Sequence, residues 1–310
     1  VTARTIIQLK NIWTETRTYS WAWQCIAGLG LILLFLGLFS MVHWAGDAVA
    51  FYLAVPKIVA NSGRLSLLPA YEDFMSVGLQ GEMHAAFFMK TGEPVFFKFF
   101  SGISSFATAL ILIGVSGKAG LKRKGKWLVL AAYVTSSAVF TIIGDGKTDI
   151  IAASVGIAAY YLAITNGPVS LIGVLCGLAG TMKLSYIVTI FPGIAFLEIW
   201  HQIKNKGQIK KPKNNGQGLK NILIKGIQIG GWCLLAALPH FIKNGLLLNA
   251  PFAPITGNGI GWMNQEFFGP ETTKRLLVLY PLALSWGKFW GQGGNLSPLL
   301  LAFSPLALFV

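Results

Sequence analysis

Charged side chains are scarce in this sequence: they make up 12% of its 310 residues, where a soluble domain usually carries about 25%. Cysteine is scarcer still. Cys25, Cys176 and Cys233 are odd in number, and each falls inside an apolar segment. This argues against a disulfide framework or a cysteine metal site, and it predicts three small, buried, apolar side chains. Neither a repeat of fixed period nor a soluble domain of any size is visible.

Apolar residues, by contrast, make up 54% of the sequence, and the mean hydropathy is +0.61. Residues 21–44 are almost continuously apolar, and this run exceeds the about 20 residues that cross a bilayer. A long polar lead and the lack of a small-x-small cleavage motif favour a signal anchor over a cleaved signal peptide. The sequence therefore predicts an all-α, multi-pass protein of the cell (inner) membrane, with one transmembrane domain over residues 1–310.

Positive charge is concentrated in two runs, residues 118–126 and 204–225, which lie between apolar stretches. Basic loops stay on the cytoplasmic side of a membrane, so the net charge of +14 reflects orientation and not nucleic-acid binding. This orientation makes residues 44–95 a long first outer loop and residues 201–221 a cytoplasmic basic linker. Interfacial helices are predicted inside the outer loop, at 48–60 and 83–89.

The later apolar runs predict the remaining spans, at 96–116, 127–143, 150–164 and 222–238. Residues 169–200 are different, because one helix of that length would measure about 48 Å against a hydrocarbon core of about 30 Å. We therefore predict two shorter helices, broken near Lys183. A last apolar run, 296–310, reaches the final residue, which predicts a chain that lacks its C-terminal spans.

Acidic residues are the rarer charged class, and most of them share one side of the predicted membrane. Nine of the eleven acidic residues are predicted to lie on the outer side: Asp47, Glu72, Asp73, Glu82, Glu93, Asp145, Asp149, Glu266 and Glu271. The lysine-rich runs lie on the other side. A membrane protein whose carboxylates gather at one face is a candidate for chemistry at that face.

Asp47 directly follows the first apolar run. A carboxylate this close to the hydrocarbon edge is partly desolvated, which raises its proton affinity and makes it a useful general base. Aspartate also caps the free amides at the start of a helix. A helix cap and a catalytic base are therefore alternative interpretations of Asp47.

The short turn before the fourth predicted span carries Asp145, Lys147 and Asp149. Asp149 could cap the next helix and the other two could be solvated turn residues, so for this turn alone the structural interpretation is favoured. Lys183 is different. A lysine inside a long apolar stretch is costly unless it snorkels or meets an anion, which makes it a functional candidate.

Glu82 and His84 are two residues apart, so on a helix they point in different directions and make a poor metal pair. A histidine at a membrane interface is usually a polar anchor. A metal role for His84 is therefore the weaker interpretation.

Several short motifs follow one another in order between about residues 40 and 260. In the outer loop they are Asp47, Tyr52, Pro56, Lys57, the pair Gly63-Arg64 and the triplet Gly81-Glu82-Met83. These residues resemble the first outer loop of bacterial GT-C type glycosyltransferases, in the protein-mannosyltransferase-like and aminoarabinose-transferase-like group. Thr148-Asp149 resembles the second acidic position of this group, and residues 175–183 resemble its glycine-rich helix ending in lysine. Residues 242–254 are similar to a later Arg-Asn to Thr-Gly-Asn-Pro pattern, with Lys243 where arginine is usual.

The resemblance implies a transmembrane helical bundle of GT-C type, which moves a sugar from a polyprenyl-phosphate donor to a lipid, glycan or protein acceptor at the outer face. Because a lipid-linked phosphate is already a good leaving group, the reaction needs a base for the acceptor hydroxyl and cations for the phosphate. Asp47 is the candidate base, and Asp149 orients the acceptor; either could support a divalent cation. Inversion at the anomeric carbon is expected. The substrate-binding candidates are Lys183 for the phosphate, Lys57, Lys147 and Asp145 as further charged groups, and Glu82 for the acceptor.

Two other functions stay open. A multi-pass transporter or flippase also uses broken helices and charge inside the membrane, but it usually keeps ionisable groups near the midplane and shows a two-fold repeat. A non-catalytic membrane assembly subunit is the third alternative, since the C-terminal spans look missing.

Overall fold

A computed structural model of the protein describes residues 21–39, 51–68, 75–91, 95–183, 186, 190–197, 199 and 215–253. This part of the chain is helical and contains no strand. Its helices are α1 (Trp21–Phe39), α2 (Ala54–Ser62), α3 (Gln80–Thr91), α4 (Val95–Lys118), α5 (Arg123–Val134), α6 (Ser137–Asp145), α7 (Asp149–Ile164), α8 (Val169–Met182) and α9 (Asn215–Leu248). Residues 190–197 are helical as well.

Helix ends follow from local residues. Gly63 and Gly146 adopt left-handed backbone angles, with φ of 66° and 67°, and they end α2 and α6. Glycine takes this conformation without the Cβ clash of other residues. Pro168 directly precedes α8, and Pro56 lies in the first turn of α2. At these positions a missing amide costs no helical hydrogen bond.

Two helices are long and apolar enough to cross a membrane, Phe96–Lys118 within α4 and Ile222–Leu248 within α9. Helices α5 and α6 make a third span if their 45° bend falls inside one crossing. Large apolar side chains are exposed on these helices, including Ile227 at 74%. Exposing them to water would cost about 25 cal/mol per Å² of apolar surface, whereas lipid accepts them. These features identify a membrane protein.

Several predicted elements are confirmed as helices. The first predicted span is helical over Trp21–Phe39, and its later residues lie outside the described part. The two short helices predicted in the outer loop correspond to α2 and α3. The predicted break near Lys183 is present, because α8 ends at Met182 and Lys183 has extended backbone.

Other boundaries differ from the predictions. The continuous helix expected at 127–143 is two helices: α5 ends at Val134, and Ser136, which has extended backbone, precedes α6. The end expected at Leu238 is also wrong, because α9 runs through Pro239 to Leu248. Helix α9 begins at Asn215, inside the predicted linker, whose residues 201–214 lie outside the described part.

Small residues bring α8 close to α9. A Cβ on Gly173 would lie 2.5 Å from the carbonyl oxygen of Ile229, and Gly177 faces the Cys233 backbone one turn later. Such small-xxx-small spacing is typical of helices packed inside membranes. The core around this contact consists of Ala159, Ala163, Ile172, Cys176, Ala179, Ile190, Ile194, Ile229 and Cys233. A second cluster, close to the ends of α7 and α8, consists of Ala85, Phe97, Ile150, Ile151, Ala152 and Met182.

The cysteine prediction is confirmed in two of three cases. Cys176 and Cys233 are buried and free in the core between α8 and α9. Cys25 is exposed, so the prediction of a buried side chain was wrong there, because no described residue covers that face of α1.

Candidate functional site

Asp149 and Lys183 form an ion pair. Asp149 is the first residue of α7 and Lys183 directly follows α8, so the meeting of two helix ends places the side chains together. The exposed fractions are 37% for the Lys183 side chain and 18% for that of Asp149, which leaves the pair accessible from one side. The structure thus brings together two of the candidate site residues, Asp149 and Lys183.

Glu82 lies close to this pair but is almost fully buried, with 1% of its surface exposed. The hydroxyl of Thr148, the residue before Asp149, donates to Glu82 Oε1 at 3.2 Å. No described residue hydrogen-bonds Oε2. Burial raises the pKa of Glu82 from 4.5 to about 7, although the Thr148 hydrogen bond and the charges of Lys243 and Lys183 act to lower it. Glu82 can therefore exchange a proton near neutral pH.

Close backbone packing holds α3 against the ends of α7 and α8. A Cβ on Gly81 would lie 2.7 Å from Cβ of Thr148, and a Cβ on Gly78 would overlap the carbonyl oxygen of Thr181. The Thr181 hydroxyl also donates to Gln80 Oε1 at 2.5 Å. Glycine at 78 and 81 is what allows Glu82 to reach the Thr148 hydroxyl.

A second lysine approaches the site from α9. Lys243 Nζ donates to the carbonyl oxygens of Met75 and Val77, at 2.5 and 2.8 Å. Its charge also interacts with the Glu82 carboxyl group. The Glu82 carboxyl group thus interacts electrostatically with two lysines of distant sequence position, Lys183 and Lys243.

The turn before α7 has contacts of its own. Asp145 interacts with Lys98, which lies near the start of α4 and is fully buried. Lys147 Nζ lies 5.9 Å from the ring centroid of Tyr52, within the range of a cation–π contact. These contacts stabilise the turn that precedes Asp149, and the substrate-binding roles of Asp145 and Lys147 stay predictions.

Two further candidates are not part of the described site. Lys57 is exposed on α2, and it forms no ion pair with any residue that the structure describes. Asp47, the candidate base, lies outside the described residues. The roles of both therefore stay predictions.

The described donor atoms fit a divalent cation poorly. No three His, Cys, Asp or Glu side chains come together in the described ranges, and the Asp149 carboxylate is paired with Lys183. His84 packs on Phe100, with ring centroids 5.1 Å apart, and burial lowers the pKa of its imidazole. This packing agrees with the interpretation of His84 as an anchor and offers no metal pair with Glu82.

Several residues of this site were missed by the sequence analysis. Lys243 was noted only as a lysine where a motif usually has arginine. A lysine in an apolar span is, however, the same signal that identified Lys183. The buried Lys98 could have been found in the same way. Thr148, Thr181 and Gln80 carry no signal that separates them from ordinary polar residues.

Comparison of the chain with protein families, curated proteins and solved structures finds no match. Its function is therefore inferred from the residues and their geometry.

Proposed function

We propose that this protein is a GT-C type membrane glycosyltransferase, which moves a sugar from a polyprenyl-phosphate donor to an acceptor hydroxyl at the outer face of the membrane. The proposal is supported above all by the accessible Asp149–Lys183 ion pair beside the buried Glu82. A carboxylate and a cation held together at helix ends supply what transfer from a lipid phosphate needs. The acceptor is a lipid, a glycan or a protein.

In the proposed reaction one bond to the anomeric carbon replaces another. The acceptor oxygen attacks this carbon, the bond to the phosphate oxygen breaks, and its electron pair leaves with the lipid phosphate. The acceptor proton passes to a carboxylate, for which Asp47 is the candidate. A single in-line displacement of this kind inverts the configuration at the anomeric carbon.

Lys183 is the candidate that binds the phosphate. A lysine ammonium is a compact point charge, and it stabilises the negative charge that develops on the leaving oxygen. In the free protein this charge is paired with Asp149. When phosphate takes over Lys183, the Asp149 carboxylate becomes free to accept a hydrogen bond from the acceptor hydroxyl.

A transfer assay tests the proposal. Membranes containing the full-length protein are given radiolabelled polyprenyl-phosphate hexose or pentose, and labelled product is counted. Lys183→Met should lower transfer by about 100-fold or more, as expected for the loss of charge stabilisation in the transition state. The matched control is Lys90→Met, an exposed lysine at the end of α3, which should transfer at the wild-type rate.

Two results would contradict the proposal. One is equal transfer by the Lys183→Met variant and the wild type. The other is uptake of a solute into sealed vesicles without any lipid donor, which would instead favour a transporter.

A further inference from the structure

The turn between α4 and α5 concentrates positive charge without any acidic residue near it in the sequence. Five cations fall within residues 118–126, and the sequence holds no Asp or Glu between Glu93 and Asp145. Four of the five side chains are exposed, and that of Lys126 is half-buried. We call this set the basic turn; its members are Lys118, Lys122, Arg123, Lys124 and Lys126.

The basic turn lies at the end of a candidate membrane span. This span, Phe96–Lys118, ends at the first of the cations. At 1.5 Å per residue it measures about 35 Å, which is enough to cross a hydrocarbon core of about 30 Å. The start of α4 lies near the Asp149–Lys183 pair, since Phe97 belongs to the same cluster as Ile150 and Met182. The basic turn therefore lies at the opposite membrane boundary from the ion pair.

Backbone groups, and not these cations, close the end of α4. The Gly120 amide donates to the carbonyl of Gly117 at 3.1 Å, and the Leu121 amide donates to that of Ser116 at 3.0 Å. Gly120 has a φ of 84°, the left-handed conformation that glycine supplies at such helix ends. Because backbone amides already bind these carbonyls, capping of α4 does not account for the positive charge.

Three of the cations lie where a helix favours the opposite charge. Lys122 is the N-cap of α5, Arg123 and Lys124 are its first two residues, and its first turn holds no acidic residue. The N-terminus of a helix carries a partial positive charge, so cations there are unfavourable. An anion that covers the turn removes both this penalty and the mutual repulsion of the exposed cations.

We propose that the basic turn binds the headgroup phosphate of an anionic phospholipid, in the leaflet that the charge pattern predicts to be cytoplasmic. Clusters of about four to eight basic residues directly beyond a membrane span are suited to such headgroups. Leu121 is exposed within the turn, and the half-buried Trp127 follows it, which supplies apolar and aromatic contacts at the membrane boundary. This site is separate from sugar transfer and does not depend on it.

Lipid binding can be measured on the full-length protein in detergent micelles. Phosphatidylglycerol is titrated in, and the first bound lipid is followed by native mass spectrometry. Arg123→Gln combined with Lys124→Gln should weaken binding by about 25-fold, since each basic residue near an anionic surface contributes about fivefold. The matched control is Arg64→Gln combined with Lys90→Gln, which removes the same charge from exposed side chains of the outer loop and should bind like the wild type.

Two further ligands identify what the turn recognises. Phosphatidylcholine carries the same phosphate with a balancing positive charge, so it should bind much more weakly than phosphatidylglycerol. Inorganic phosphate in excess should not displace the lipid, because it lacks the acyl chains that hold a headgroup at the membrane boundary. Added salt should weaken the binding of phosphatidylglycerol, since the cations are exposed.

Any of four outcomes would overturn the inference. Two concern the variants: equal affinity of the basic-turn variant and the wild type, or an equal loss in the outer-loop control. The third is equal binding of phosphatidylcholine and phosphatidylglycerol. The fourth is displacement by inorganic phosphate, which would identify a soluble phosphate compound as the ligand instead. If the basic-turn variant does not fold, Lys118→Gln combined with Lys122→Gln removes the same charge from the same turn and gives the same comparison.

Discussion

The ion pair of Asp149 and Lys183 joins the first residue of α7 to the first residue after α8. The two residues belong to helices that follow each other in the chain, and the turn between these helices lies at their other ends. The pair therefore closes the open end of an antiparallel helical hairpin, and it does so beside a buried carboxyl group.

This closure predicts energetic coupling between the two residues. Asp149→Asn and Lys183→Met should each lower the free energy of unfolding, and the double variant should lose less than the sum of both. Because the pair is partly exposed, we expect a coupling of about 1 kcal/mol or less. Denaturant unfolding in detergent micelles measures it. The control is the double variant Asp149→Asn with Lys90→Met, in which the two losses of unfolding free energy should simply add. If the losses also add in the double variant of Asp149 and Lys183, the ion pair is contradicted.

Glu82 predicts a pH-dependent stability. Its folded-state pKa of about 7 exceeds the ordinary value of 4.5, so between these values the folded protein holds a proton that the unfolded chain has lost. The stabilisation is complete below about pH 4.5 and is lost as the pH rises through about 7, by about 3 kcal/mol in total. Unfolding measured from pH 4.5 to 8 should show this fall in the wild type and a much flatter profile in Glu82→Gln. Parallel profiles would contradict the assignment.

Gly78 predicts a steric limit at the site. A Cβ at this position would overlap the Thr181 carbonyl oxygen, so Gly78→Ala should separate α3 from the end of α8 and cost roughly 1–3 kcal/mol or more. Gly226→Ala is the matched control, since its Cβ would meet nothing within 4 Å. Thermal unfolding of the two variants should differ clearly. Equal melting temperatures would show that the packing at Gly78 is looser than described.

The orientation of the chain predicts which loops are accessible from outside the cell. With the three native cysteines replaced, Lys147→Cys in the turn before α7 should react with a membrane-impermeant maleimide on intact cells. Lys124→Cys in the basic run and Lys213→Cys in the linker should react only after the membrane is opened. The reverse pattern would place the Asp149–Lys183 pair on the cytoplasmic side and exclude transfer at the outer face.

Much of the helical architecture could be predicted from sequence, because apolar run length and the bilayer thickness leave few alternatives. Lys183 shows this well: a helix through residues 169–200 would be too long, and the break is where the charge required it. Breaks inside an apolar run were not predictable. The run over residues 127–143 breaks at Thr135 and Ser136, whereas Thr108, with the same hydroxyl bond to the carbonyl four residues earlier, lies inside the unbroken α4.

The site was predicted in part for the same reason. Asp149 and Lys183 stand out as charges in apolar surroundings, and the structure pairs them. Thr148 and the backbone around Met75 bind Glu82 and Lys243 through contacts between residues far apart in the chain, for which a single sequence carries no pattern.

Pro239 removes one hydrogen bond from the backbone of α9. Proline has no amide hydrogen, so the Leu235 carbonyl lacks its usual helical donor. Side chains on both sides of this position are exposed, such as Leu234 before it and Leu246 after it, and buried ones lie on both sides as well, such as Cys233 and Asn244. The packed face of α9 therefore continues across the missing hydrogen bond, and contacts with neighbouring elements compensate there for the backbone that proline weakens.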